Sequence, residues 1–286
     1  MKNWNWGVVI SVSLAIAVVT IPIAFERFPG MTARWMLAQA ANAADLGTGD
    51  AQTLLDEAAQ RLDDPESDSD YWHVRMKIAL KQGHDQILEV LTATKRMPFF
   101  ESLAYVALLQ LNERRDFKTA VHVCTKILEN RAPEHITSDD WNQIAYFRSL
   151  CNEDLDQGLG EINLALKKRP LDYQFLDTRA WVLYGLGLLP EALQDAEMAV
   201  TAVDRLLEDE SSSFINSLYK WASGKAEPIS EDGLLTAPEA GQLLWSAGVI
   251  HYHRAKILEG LGRTEQAEPD WQWLKKNKLP TDDRLH

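Results

Sequence analysis

Arg179-Ala-Trp-Val-Leu-Tyr-Gly-Leu-Gly-Leu-Leu-Pro-Glu-Ala-Leu-Gln-Asp-Ala-Glu-Met-Ala-Val200 reads as two short amphipathic helices folded back on one another. Leu176, Ala180, Leu183 and Leu186 recur at three- and four-residue steps and draw an apolar stripe on the first helix. Gly185 and Gly187 close it, because glycine enters the left-handed conformation at a helix end without a steric penalty. Pro190 opens the second helix, where its missing N–H costs nothing. Leu193, Ala196, Ala199, Val200 and Val203 give the second stripe. Ala180 and Ala192 are small where two helices in a tight hairpin cross.

The pattern recurs. Arg254-Ala255, Leu258, Gly260-Leu261-Gly262 and Ala267 repeat Arg179-Ala180, Leu183, Gly185-Leu186-Gly187 and Ala192 at the same internal spacing. Aligned on the Gly187 turn, three more units follow: Trp72 to Pro98 with Gly83 at the turn, Phe99 to Pro133 with Arg115-Asp116-Phe117, and Trp141 to Pro170 with Glu153. The anchors at 83, 115, 153 and 187 lie 32, 38 and 34 residues apart. From Asp70 to Pro280 the chain resembles the tetratricopeptide repeat, a helix-turn-helix unit of about 34 residues. The resemblance implies an all-α fold, a right-handed superhelical stack of helix-turn-helix repeats. Ala196 and Asp204 depart from the Phe and Pro that the family places there.

In solenoids of this family the inner side of each first helix lines a concave groove. Carried over residue by residue, that side holds His73 and Lys77, then Tyr105 and Leu109, then Gln143 and Phe147, then Asp177, Trp181 and Tyr184, and finally Tyr252 and Lys256. Aromatic side chains there suit a protein or peptide ligand, because they give much contact at small entropy cost. The alternative is that they pack against the next helix. The basic and asparagine set with which some members clamp a C-terminal carboxylate is missing from the equivalent positions.

The step from 187 to 262 is 75 residues. Leu193, Val200, Leu207, Phe214 and Trp221 fall seven apart, a heptad-like seam that predicts a second helix running on from Pro190 to about Ala222. Glu208 to Ser213 is the place where it would kink or break. Thr236-Ala237-Pro238-Glu239 is a capping-box start for a partner helix that runs to Gly260. Pro269 predicts a kink or a late start in the last helix. Trp271 and Trp273, two apart, point to different sides.

The first residues differ from the rest. Gly7 to Phe25 is a run of 19 uncharged residues, long enough at about 1.5 Å per residue to span the hydrocarbon core. Trp4, Trp6, Phe25 and Phe28 flank it as interfacial aromatics. The expectation is one transmembrane helix ahead of the stack, in a single-pass protein of a bacterial inner membrane with the repeats outside the cytoplasm. A cleaved signal peptide, leaving a periplasmic or secreted assembly factor, is the rival. The segments read as 1–28 anchor, 29–66 leading helices, 67–204 four repeats, 205–240 extended-hairpin insertion, and 241–286 final repeat with a C-terminal cap.

A net charge of −13 repels phosphate backbones, so no nucleic-acid partner is expected. Asp63 to Asp70 is the densest acidic run, but it lacks the glycine and closing Glu of a calcium loop and reads as a solvated loop ending in a helix cap. Cys124 and Cys151 form no CxxC and support no zinc site; on neighbouring helices they are either a disulfide or two buried thiols. His251 and His253 diverge on a helix and cannot share a metal. Gly185-Leu186-Gly187 lacks a phosphate loop's third glycine and preceding strand. No catalytic, cofactor or metal residues are expected, nor a small-molecule substrate. The expected function is a membrane-anchored scaffold for other proteins or peptides, serving assembly or maintenance of a larger complex. An enzyme would have to reside in the insertion, which is too short for a core of its own.

Overall fold

The computed structural model describes the backbone of residues 29–222 and 237–285, with side chains throughout except at 209–222 and 237–240. The expected span at 7–25 lies outside the described residues. Among those described, no helix is long and apolar enough to cross a membrane.

The described chain is all α, with twelve helices and no strand among the described residues. It divides into two compact units, ending and beginning at Arg115 and Asp116. The first holds α1 (Pro29–Leu46), α2 (Ala51–Ala59), α3 (Ser69–Gln82), α4 (His84–Ala93) and α5 (Phe100–Glu113). The second holds α6 (Phe117–Asn130), α7 (Ser138–Cys151), α8 (Leu155–Lys168), α9 (Tyr173–Gly185), α10 (Leu189–Ala222), α11 (Ala237–Gly260) and α12 (Thr264–Lys276).

Local chemistry sets the helix ends. The Asp68 carboxylate accepts from the Tyr71 N–H at 3.0 Å and caps α3, so the acidic run does end in a cap. Asp116 caps α6, Asp172 caps α9 through two N–H groups, and Thr137 with Asp140 forms a reciprocal capping box on α7. The two matched glycine turns close alike. At φ +75° and +72°, Gly187 and Gly262 let Leu188 and Arg263 donate back to the carbonyls of Leu183 and Leu258, at 2.9 and 2.8 Å. This is the Schellman closure, and it needs a left-handed residue.

Packing follows one rule within each unit. Where the preceding hairpin lies in the same unit, a leading helix lies against both of its helices. In the first unit α3 packs on α1 and α2, and α5 packs on α3 and α4; in the second, α9 packs on α7 and α8, and α11 on α9 and α10. The junctions are filled by fully buried side chains such as Ile162, Leu176, Phe175, Val203 and Ile250. Burying one such side chain contributes about 1.5–3 kcal/mol. Alanines with no exposed surface, including Ala180, Ala192, Ala196, Ala199, Ala247, Ala255 and Ala267, set how closely the helices approach. The acidic loop also joins the stack: Arg34 on α1 pairs with Asp68 at 2.6 Å and Asp70 at 2.8 Å.

Two long helices stand where the long hairpin is expected. α10 runs 34 residues without a break through Glu208 to Ser213, and α11 begins at Ala237. Their seam is made by Val200, Val203 and Leu207 against Leu243, Ala247 and Ile250. The loop between these helices falls at 223–236, outside the described residues. α12 starts at Thr264 and carries Pro269 inside it, so the proline does not delay the helix.

Exposed Gly160 in the interior of α8 has nothing within 4 Å of where a Cβ would stand, whereas Gly187 and Gly262 occupy left-handed backbone. Gly160→Ala should therefore stabilise by about 0.5–1 kcal/mol, and Gly187→Ala or Gly262→Ala should destabilise by about 1 kcal/mol. Urea melts of the three variants check both signs.

Candidate functional site

Four hairpins carry an arginine on the first helix and a carboxylate on the second. Arg75 meets Glu89 across α3 and α4 at 2.9 Å. Arg148 meets Glu161 across α7 and α8 through two bonds of 2.9 and 3.2 Å. Arg179 meets Asp195 across α9 and α10 at 2.6 and 2.8 Å. Arg254 meets Asp270 across α11 and α12 at 2.9 and 2.6 Å. Glu161, Asp195 and Asp270 are buried and share one register, eight residues after the turn positions 153, 187 and 262. The fork of a guanidinium satisfies both oxygens of a carboxylate, which makes these buried charges tolerable. These clamps are absent from the expectations above. Their signal in the sequence is that shared register.

Two histidines on α11 extend the polar core. His251 Nδ1 lies 2.5 Å from Asp270 on α12 and its Nε2 3.1 Å from Asp204 on α10, and its ring stacks on Trp273 at 4.1 Å. His253 points the other way, 2.8 Å from Asp177 on α9, and stacks on Trp181 at 4.0 Å. Burial works to lower the pKa of His251, but the carboxylates of Asp204 and Asp270 outweigh it and hold the imidazole above its ordinary value. Burial works to raise the pKa of Asp270, but hydrogen bonds from His251 and Arg254 hold that carboxyl below its ordinary range. Among the described residues no group of three or more His, Cys, Asp or Glu is arranged to hold a metal ion. Cys124 and Cys151 are not bonded to each other. Burial pushes both thiols above their ordinary range, which lowers their thiolate fraction.

The expected groove residues divide by position. The first of each set lies ten residues before its turn: His73, Tyr105, Gln143, Asp177 and Tyr252. Three of these meet the element stacked next along the chain. His73 Nε2 lies 3.1 Å from Ser102 on α5; Asp177 meets His253 on α11; and the Tyr252 hydroxyl donates to Asp283, after α12, at 2.5 Å. Gln143 is half-buried. The positions one turn on are mixed. Lys77 pairs with Asp45 on α1 at 2.9 Å, Phe147 is buried and stacks on Phe117 of α6, and Lys256 pairs with Glu259 on its own helix. Trp181 stacks between His253 and Tyr184, with ring centroids 4.7 Å apart on the Tyr184 side. Tyr105 and Leu109, one turn apart on α5, stay exposed, at 42 % and 68 %. Trp271 and Trp273 do face different sides, Trp271 towards Tyr252 and Trp273 towards His251, and both are half-buried.

No protein-family model matches the chain, and no curated protein matches it.

Raising the pKa of His251 above the unfolded value of about 6.5 means that its charged form stabilises the fold fully below that pH, and that this stability is lost as pH rises through the folded pKa. The lowered Asp270 acts at the other end: its contribution is present above the unfolded carboxyl value of about 3.9 and is lost as pH falls through its folded pKa. The melting temperature should decline on the alkaline side of pH 6.5, and His251→Gln should flatten that decline. An NMR titration of the His251 ring should place its midpoint above 6.5; a midpoint at or below it contradicts the assignment.

Proposed function

We propose that this chain is a membrane-tethered scaffold, a right-handed superhelical stack of tetratricopeptide-like hairpins that binds other proteins or peptides in the assembly or upkeep of a larger complex. Support for the repeat reading comes from the stacking rule, in which a leading helix covers the hairpin before it in the same unit, and from the matched turns at Gly187 and Gly262. Support for the tether is the uncharged run of residues 7–25. The observation that carries the binding role is the exposure of Tyr105 and Leu109 on α5. They sit one turn apart, on the side where the family resemblance puts the groove. An aromatic and an aliphatic side chain displayed together on a rigid helix form an anchor for a partner's apolar side chain.

Truncating an anchor residue of this kind costs at least about 1.4 kcal/mol, a tenfold loss of affinity. Partners recovered from detergent-solubilised membranes on the wild-type chain should be lost on Tyr105→Ala and Leu109→Ala, and kept on Leu188→Ala, which trims an exposed leucine in the second unit. Equal recovery on all four proteins would remove α5 as the binding surface. Separately, the protein should stay with washed membranes in alkaline carbonate and leave them in detergent; release by carbonate favours the cleaved, periplasmic or secreted reading.

A further inference from the structure

A neutral imidazole has one N–H and one lone pair, so it donates a single hydrogen bond; the imidazolium donates two. His251 has a carboxylate at each nitrogen. Asp270 on α12 lies 2.5 Å from Nδ1, and Asp204 on α10 lies 3.1 Å from Nε2. Both contacts are hydrogen bonds only while the ring is charged. The charges then balance: Asp204 and Asp270 bring two negative ones, and His251 brings a positive one beside Arg254, which also donates to Asp270. The other elements packed on α11 turn their carboxylates elsewhere. Asp177 of α9 meets His253, and Asp283 of the turn after α12 meets Tyr252.

The two carboxylates differ in what they can do when a proton is lost. Asp270 has no exposed surface, whereas the Asp204 side chain is 39 % exposed. The proton that remains belongs at Nδ1, on the shorter contact and against the carboxylate that water cannot reach. Nε2 is then left with a lone pair facing the Asp204 oxygen. Two electron-rich atoms at that separation repel, and Asp204 has solvent to turn to. Asp270 keeps its bonds from His251 and Arg254, so α11 stays joined to α12. The contact that fails is the one between α10 and α11.

We propose that His251 is a pH-operated latch between α10 and α11, closed while the ring is charged, opened by loss of the Nε2 proton to solvent, and leaving the α11–α12 contact intact in both states. The latch stands at the edge of the apolar seam. Asp204 follows Val203 and His251 follows Ile250, and both of those side chains belong to the seam cluster. Beyond it α10 runs on to Ala222 and α11 reaches back to Ala237. Opening the latch removes this polar tie and leaves the apolar seam. Because the two carboxylates hold the imidazole above its ordinary value, the closed form persists above about pH 6.5 and gives way as pH rises through the folded midpoint. This inference rests on neither the α5 surface nor the membrane tether.

The test uses the full chain. Nitrogen NMR of the histidine rings, with the His251 signals assigned by their loss in His251→Gln, reads the tautomer on wild-type protein. Above its midpoint His251 should carry its proton on Nδ1. Spin labels at the exposed positions Leu206→Cys and Trp245→Cys report the α10–α11 separation, and labels at Trp245→Cys and Gln272→Cys report α11–α12. Cys151 is replaced by Ala, and buried Cys124 is left in place. The first distance should lengthen and broaden as pH rises through the His251 midpoint, and the second should stay constant. Asp204→Asn should abolish the change, because its amide accepts from the charged ring and donates to the bare Nε2. It should also lower the midpoint by about one pH unit, a tenfold change in proton affinity. Asp204→Ala should show the open separation at every pH. A neutral ring protonated at Nε2 overturns the proposal. So does an α10–α11 separation that stays constant through the midpoint, equal movement of both label pairs, or a pH response that survives in Asp204→Asn.

Discussion

A hairpin of two helices has more apolar surface than it can cover by itself. Each of its helices needs a stripe against its partner and another against something else, and the something else has to be the next hairpin. That constraint explains why α3, α5, α9 and α11 each rest on both helices behind them, and why alanines stand at so many crossings. It also explains why the last hairpin cannot end on bare α11. The tail with Leu279 and Leu285 covers what would otherwise be exposed there.

The charged clamps are the second layer of the same logic. Apolar stripes are permissive about register, since a helix can slide by a turn and still bury leucine against leucine. A carboxylate without exposed surface cannot slide away from its guanidinium without a penalty of several kcal/mol. Asp270 is the clearest case. It is fully buried and receives bonds from Arg254 and His251 together. His251 in turn reaches Asp204 on the long helix, so one network ties α10, α11 and α12 in a single register. On the opposite side of α11, His253 ties it to α9 through Asp177.

Much of the architecture was legible in the chain because it is local. Glycine turns, proline at a helix start and apolar steps of three and four need only neighbouring residues, and they mark the hairpins around Gly83, Gly187 and Gly262. The reach of α10 was legible from the seven-residue spacing of Leu193, Val200 and Leu207, but its passage through the acidic and serine run Glu208 to Ser213 was not. The candidate site was less so. Offsets from a turn say which way a side chain leaves its helix, not what waits there. Asp177 and Tyr252 leave on the side assigned to a groove, and there they meet His253 and Asp283, from other elements. Asp195 and Asp270 were hidden differently: in a chain this acidic, a carboxylate destined for burial looks like every other carboxylate. The tail has no helical periodicity to read.

One property of α10 reaches beyond packing. Thirty-four residues of uninterrupted helix extend about 51 Å, and the base of that rod is gripped by α9 while its middle is bolted to α11. Such a rod converts angle into distance. A tilt of about 10° at the gripped end displaces the opposite tip by about 9 Å, with no change in the rod itself. Any small adjustment where Leu193 and Ala196 seat against α9 would be carried, by α10 and the α11 bolted to it, to the far end of the same helix.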